Sequence, residues 1–119
     1  MSDTQYTVDD QFIGKAPSVR TVYDRLLAQI RTFGAVHEEP KKTSIHLTRK
    51  SAFAGVATRK DALQLQLTIK TAPDIRSPRI VKRKQASAHR WHLEVRLESP
   101  TEVDRELTSW LKDAMALST

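Results

Sequence analysis

Apolar and polar residues alternate with a period of two in several segments between residues 43 and 97. The clearest is LQLQLTIK, residues 63–70, whose leucines and isoleucine point to one face of an extended chain and whose polar residues point to the other. TSIHLTR and HRWHLEVRL repeat this pattern, whereas SAFAGVATRK and RIVKRKQ indicate strands more weakly. The short segments TRKS, RKDA and ASAH are typical of hairpin turns. Together they predict an antiparallel sheet of four or five strands with one apolar face.

Segments with the period of an amphipathic helix flank the alternating region. In PSVRTVYDRLLAQIRTFG, apolar residues recur at i, i+3, i+4 and i+7, with Ser18 as the predicted N-cap and Gly34 after the helix end. In SPTEVDRELTSWLKDAMAL, Ser99, Pro100 and Glu102 predict a capping box that starts a second helix. The predicted apolar stripes are Val19, Val22, Tyr23, Leu26, Ile30 and Phe33 in the first helix, and Val103, Leu107, Trp110, Leu111 and Ala114 in the second.

These elements predict an α+β fold. A chain of 119 residues is long enough for one domain with a two-layer core. A sheet with one apolar face must bury that face, and the two amphipathic helices are available to cover it. We therefore expect a single two-layer domain over residues 16–119, in which an N-terminal helix, the antiparallel sheet and a C-terminal helix follow one another and both helices lie on one face. Residues 1–15 are predicted to form a flexible N-terminal tail.

Composition excludes several classes of protein. No stretch approaches the roughly 18 continuous apolar residues that a membrane span needs. The first twelve residues, MSDTQYTVDDQF, are polar and acidic, unlike a secretory signal. The chain has no cysteine, which excludes disulfides, thiolate zinc sites and a cysteine nucleophile. We expect a cytoplasmic protein that makes no membrane contact.

The formal net charge of +6 is unevenly distributed. Residues 41–96 carry fourteen Lys or Arg against three acids, a net +11, and the rest of the chain carries a net −5. Such an asymmetry indicates where an anionic partner would bind, although basic residues also simply solubilise a sheet face. The predicted anion-binding residues are Lys41, Lys42, Ser44, His46, Arg49, Arg90, His92 and Arg96.

Three groups of residues carry a resemblance to a known family. They are KKTSIHL at residues 41–47, FAGV at residues 53–56, and RWH with VRL within residues 90–97. In this order and spacing the chain, over roughly residues 10 to 118, resembles the bacterial family of domains of unknown function numbered 5655. VKRKQAS is more basic here than the family pattern, which tends to carry an acid near Lys84. The resemblance implies the same architecture and suggests that the lysine pair, His46, Arg90 and His92 belong together.

The sequence offers little support for a metal site or a hydrolytic triad. HEEPK lacks the second histidine of a HExxH helix, and only His46 and His92 share a predicted face, so we expect no metal and no cofactor. Ser44 and His46 lie about 7 Å apart along a strand, too far for a direct hydrogen bond. A small enzyme that uses His46 or His92 as general acid or base on an anionic substrate stays an alternative.

Nucleic acid and phosphorylated small molecules are the partners that the charge favours. Exposed aromatic platforms for stacking bases are missing from the pattern, so nucleic acid would be bound through its backbone. The basic RIVKRK segment either contacts phosphate or protects a sheet edge from pairing. We therefore predict a non-catalytic binding module for an anionic partner. The alternatives are the small enzyme and a homo-oligomerising structural module, such as a homodimer.

Overall fold

The computed structural model describes residues 6–58, 65–71 and 75–118. Within them the chain forms two α-helices, six β-strands and two short 3-10 turns. In chain order these are a 3-10 turn at Asp9–Phe12, α1 (Pro17–Arg31), β1 (His37–Pro40), β2 (Ile45–Thr48), β3 (Ala52–Ala57), β4 (Leu65–Thr71), β5 (Ile80–Ser87), β6 (Arg90–Leu97), a 3-10 turn at Pro100–Glu102 and α2 (Arg105–Leu117). The predicted RKDA turn, the first two residues of LQLQLTIK and part of the loop after β4 lie outside the described residues.

The described strands form one antiparallel sheet in the order β1-β2-β3-β4-β6-β5. The predicted count of four or five strands was wrong, because the described sheet has six and the short strand β1, with the sequence HEEP, was missed. Two glutamates and a proline have low strand propensity, and four residues show too little alternation to be recognised. Pro40 is tolerated because β1 is an edge strand, where an amide N–H is not needed on the outer side.

Both helices cover one face of the sheet, as predicted. The buried positions of β2, β4 and β6 are the alternating apolar ones, and they share one core with the apolar stripes of α1 and α2. Phe33 is the exception among the predicted stripe residues, because α1 ends at Arg31 and leaves the Phe33 side chain 37% exposed. The predicted N-cap of α1 was also wrong: Ala16 is the N-cap and Pro17 occupies the first turn, where a missing N–H costs nothing.

The second helix begins later than its capping box predicts. The Ser99–Glu102 box forms, but it closes the 3-10 turn Pro100–Glu102. The helix proper starts at Arg105, after Asp104, whose carboxylate accepts a hydrogen bond from the Leu107 N–H at 3.1 Å. Two successive caps therefore redirect the chain from β6 into α2.

A bulge between β2 and β3 sets the faces of β3. The register shifts between Leu47 and Thr48, and as a result Phe53 and Ala54 are both buried although they are adjacent. Ala52, Gly55 and Ala57 are left on the uncovered side. The bulge thus keeps the Phe53 ring off the uncovered side, where the residues of β3 are all small.

The N-terminal segment packs against the sheet through Gln11, which is 7% exposed. The Gln11 side-chain amide donates to the Lys41 backbone carbonyl at 2.7 Å. The backbone carbonyl of Gln11 accepts a hydrogen bond from the Thr58 hydroxyl. These bonds join the 3-10 turn at Asp9–Phe12 to the ends of β1 and β3. The division of the chain into a tail and a domain stays a prediction.

Candidate functional site

The uncovered side of the sheet, here called the open face, carries the polar half of each alternating strand. His46, Thr68 and Lys70 are half-buried there, between fully buried neighbours on β2 and β4. His92 and Glu94 occupy the same face of β6. Of the aromatic residues in the six strands, Phe53 is buried in the core. Trp91 lies two positions from buried Leu93 and therefore points to the same side of β6, the side that the helices cover. The described part of the open face therefore offers no aromatic platform to a stacked base.

Three bases form a row across β4, β6 and β5. His92 is the cross-strand partner of Lys70 on one side and of Lys84 on the other. Burial, together with the positive charges of Lys70 and Lys84, lowers the pKa of His92 below its usual value. Like charges directly opposite each other destabilise a sheet, so a protonated His92 is unfavourable in this row unless an anion joins it.

The next row of the open face is balanced instead. Glu94 is the cross-strand partner of Thr68 on β4 and of Lys82 on β5. Its carboxylate also accepts a hydrogen bond from the Gln66 side-chain amide at 3.1 Å. Of these two rows, that of His92 is the one without an acid.

A cavity of about 370 Å³, here called the basic pocket, lies at the end of the sheet next to this row. Its basic side chains are Lys70, Arg90 and His92, and no Asp or Glu is among the described residues that line it. The hydroxyls come from the β2–β3 turn, the β5–β6 hairpin and the end of α2: Ser51, Ser87 and Ser118. One of them already bonds the backbone, since the Ser118 hydroxyl donates to the Ser51 carbonyl at 2.6 Å.

A second cavity, of about 220 Å³ and here called the β3 groove, adjoins the basic pocket. The two cavities share Ala52, Lys70 and His92. The groove runs over the small open-face residues of β3, between walls formed by β2 and by β4 with β6. Its polar walls are Ser44, His46, Thr68, Lys70 and His92. His46 and His92, which the sequence placed on one face, therefore line one concave surface.

Four of the eight predicted anion-binding residues lie at these cavities. Ser44 and His46 line the β3 groove, Arg90 lines the basic pocket, and His92 lines both. The Arg90 guanidinium donates to the His89 carbonyl at 2.9 Å, which holds it at the β5–β6 turn.

The other four predicted residues lie elsewhere. Lys41 forms an ion pair with Glu39, at 2.8 Å, and Lys42 lines a separate cavity beside the N-terminal 3-10 turn. The Arg49 guanidinium packs against Gly34, whose φ of +154° only glycine adopts readily, so it extends toward the end of α1. Arg96 is exposed on β6, opposite Gln66 and two positions beyond Glu94.

Lys70 and the three serines are pocket residues that the list of predicted site residues lacks. Lys70 had a detectable signal, because it is the last polar residue of the alternating β4 segment and shares the face of His92. No sequence signal identified the three serines. They come from turns and a helix end that are distant in sequence, so only the tertiary fold brings them together.

Two classes of site find no support in the part of the chain that the structure describes. No group of three or more His, Asp or Glu side chains there is placed to hold a metal ion. No helix among the same residues is long and apolar enough to cross a membrane.

Comparison with families of proteins matches residues 8–118 to a family described as "Domain of unknown function (DUF5655)". The match covers both helices and all strands described above. Searches of curated proteins and of solved structures found no match.

Proposed function

This chain belongs to the DUF5655 family, whose description assigns no activity, and we propose that it is a non-catalytic binding module for a phosphorylated small molecule. The phosphate binds in the basic pocket, between Lys70, Arg90 and His92. One observation carries the proposal: Lys70, Arg90 and His92 line one cavity, and no Asp or Glu is among the described residues around it. A bound dianion is attracted by Lys70 and Arg90 and accepts charge-assisted hydrogen bonds from them.

The shape of the site favours a small ligand over nucleic acid. The basic pocket, at about 370 Å³, falls within the size range of small-molecule sites. A nucleic-acid surface would need cations spread along a backbone and aromatic side chains for bases. Here Lys41 is paired with Glu39, and Lys42 and Arg49 lie at other cavities. Of the predicted anion-binding cations, Arg90 lines the basic pocket, together with Lys70 and His92.

The experiment is a titration of the ¹⁵N-labelled protein with inorganic phosphate and pyrophosphate, followed by NMR. Lys70→Met and Arg90→Met each remove one donor at the pocket. Lys42→Met and Arg96→Met remove one cation each away from it and serve as matched controls. Because a hydrogen bond to a charged group contributes about 1.5–3 kcal/mol, each pocket variant should weaken binding about 10- to 100-fold.

The controls should bind within about twofold of the parent protein, since exposed charges far from a ligand contribute little. Equal losses in all four variants, or no saturable shift with either anion, overturn the proposal. Labelled DNA and RNA are titrated in parallel at about 50 mM and 200 mM salt. Tighter binding of either polymer than of pyrophosphate, with Lys42 and Arg96 contributing, would identify a nucleic-acid interface and also overturn it.

A second candidate function is a small enzyme that uses His46 or His92 as general acid or base on the same ligand. It is favoured by one observation, the presence of both imidazoles in the β3 groove. The lowered pKa of His92 also suits a base that is neutral near pH 7. Release of phosphate from phenyl phosphate, lost in His46→Gln or His92→Gln, would support the enzyme. Binding without release supports the non-catalytic module.

A further inference from the structure

Most residues of the β3 groove have no role in holding a phosphate, yet the groove adjoins the basic pocket. The two cavities share Ala52, Lys70 and His92, so a molecule bound in one lies next to the other. The groove differs chemically from the pocket. Its floor consists of small residues of β3, and its polar walls carry two hydroxyls and two imidazoles but only one lysine.

Gly55 shows that the depth of the groove is not a requirement of the fold. Its φ lies outside the left-handed region, so any residue can adopt its backbone conformation. A Cβ built on Gly55 meets its nearest neighbours, His46 Cδ2 and the Ile45 carbonyl oxygen, at 4.0 Å, which is ordinary van der Waals contact. Glycine inside a strand costs about 0.5–1 kcal/mol relative to alanine. Neither strain nor crowding offsets that cost here, whereas a ligand lying on the strand would.

The walls set the shape of what fits. β2 and β4 are the two neighbours of β3, so their open-face side chains stand about 10 Å apart, twice the spacing of adjacent strands. A planar ring lying flat on β3 fills this width. His46 lies beside Gly55 and flanks such a ring, and Ser44 and Thr68 offer hydroxyls to its edge.

We infer that the ligand is a phosphate ester with a flat ring, whose phosphate occupies the basic pocket and whose ring lies over Gly55 in the β3 groove. This inference rests on the proposed function and adds the class of the ligand. The small floor does not carry it alone, because the ring position also follows from the adjacent basic pocket, whose Lys70 and His92 line both cavities.

The test compares phenyl phosphate with inorganic phosphate. We expect phenyl phosphate to bind about tenfold more tightly, because burial of the ring adds to the contacts of the phosphate. Resonances of the His92 ring should shift with both probes. Those of the His46 ring and the Gly55 amide should shift with phenyl phosphate alone.

Gly55→Val fills the floor with a residue that favours strands. It should remove the tenfold advantage of phenyl phosphate and leave the affinity for inorganic phosphate within about twofold of the parent. Gln85→Val, an exposed position on β5 that lines neither cavity, is the matched control and should change neither affinity. An unchanged circular dichroism spectrum and urea midpoint verify that both variants fold.

The outcomes separate the two proposals. If inorganic phosphate binds the parent protein but the phenyl group adds nothing, or if Gly55→Val leaves the phenyl advantage intact, the ring inference is overturned and the phosphate site stands. If neither probe binds the parent protein, the proposed function itself fails. An equal loss of both probes in Gly55→Val contradicts separate subsites for ring and phosphate and also overturns the inference.

Discussion

His92 on β6 lies directly opposite Lys70 on β4, and Lys84 on β5 faces it from the other side. The relationship depends on strand order, since β5 pairs outside β6 and β4 pairs inside it. Three basic residues that are separate in sequence thereby form one row, next to a row in which Glu94 provides the balancing charge.

The first prediction concerns the pH dependence of stability at His92. Its pKa in the folded protein is lowered, by burial and by Lys70 and Lys84. Above its usual pKa, near 6.5, the ring is neutral in both states and contributes nothing to the pH dependence. As the pH falls below that value, His92 is protonated in the unfolded chain but stays neutral in the folded protein. The free energy of unfolding therefore falls.

The variant His92→Gln has no imidazole to protonate and therefore lacks the part of the stability loss at low pH that comes from this residue. Urea unfolding at about pH 7.5 and 5.5 should therefore show a smaller drop in stability for the variant than for the parent protein. Lys70→Met, which removes one of the two facing cations, should give an intermediate drop. A drop in His92→Gln as large as that of the parent protein would contradict the assignment.

The second prediction concerns Tyr23, whose buried hydroxyl donates to the Glu38 carboxylate at 2.6 Å and joins α1 to β1. Tyr23→Phe removes the donor from a half-buried carboxylate, and we expect a loss of about 1–2 kcal/mol in the free energy of unfolding at pH 7. Urea denaturation measures it, with Tyr6→Phe in the N-terminal segment as the control. A loss below about 0.5 kcal/mol would mean that Arg31, 3.4 Å from Glu38, satisfies that carboxylate alone.

The same tyrosine has a pH signature at the alkaline end. Burial, followed by the hydrogen bond to Glu38, raises the pKa of Tyr23 far above its usual value of 10.0. Above about pH 10 the unfolded chain loses a proton that the folded protein keeps, so stability falls as the pH rises. Tyr23→Phe lacks this loss, and its deficit relative to the parent protein should shrink between about pH 7 and pH 10.5.

The third prediction concerns Arg79, which ties the start of β5 to the start of α2. Its guanidinium lies 2.8 Å from the Asp104 carboxylate and 3.2 Å from that of Glu106, and it also donates to the Glu102 carbonyl. Arg79→Met keeps the aliphatic stem and removes the donors. We expect a loss of about 1–2 kcal/mol in the free energy of unfolding, mostly from the backbone contact, because half-exposed ion pairs contribute little.

Urea denaturation at low and high salt measures this loss. Arg25→Met, at an exposed arginine on α1, is the matched control and should stay within about 0.5 kcal/mol of the parent protein. If about 1 M salt erased the difference between Arg79→Met and the parent protein, the ion pairs and not the carbonyl contact would dominate.

The fourth prediction concerns the edge formed by β5. This strand is one of the two edge strands of the described sheet. It has register shifts near both ends, and Lys82 and Lys84 are exposed on it. Charge and bulges prevent an edge from pairing with another chain. Lys82→Val with Lys84→Val should therefore produce dimers or aggregates at concentrations at which the parent protein sediments as one species. Sedimentation velocity measures this.

Lys42→Val with Lys50→Val makes the same chemical change at two exposed turn lysines and should leave the sedimentation of the parent protein unchanged. A parent protein that already sediments as a dimer would favour the homo-oligomerising alternative. Equal self-association of both double variants would show that lost charge, and not an exposed edge, drives it.

Local patterns were sufficient for much of the architecture. The alternation around Leu65 and Leu67 placed one face of β4 in the core, and the spacing of Leu107 and Leu111 did the same for α2. Such signals are local, because a residue's face depends on its distance along the chain from its neighbours. They became weaker where local chemistry was ambiguous: β1 was missed, and a good capping box at Ser99 proved to close a 3-10 turn before the helix.

Local sequence patterns predicted the two layers and the open face, and they placed His46 and His92 on that face. Only the tertiary structure decided which charges meet. Strand order set Lys70 and Lys84 on either side of His92, a bulge kept Phe53 off the face that carries Gly55, and the Arg49 guanidinium packs against Gly34, outside both cavities. The physical reason is that register and strand order arise from contacts between segments distant in the chain, which no periodicity within a segment encodes.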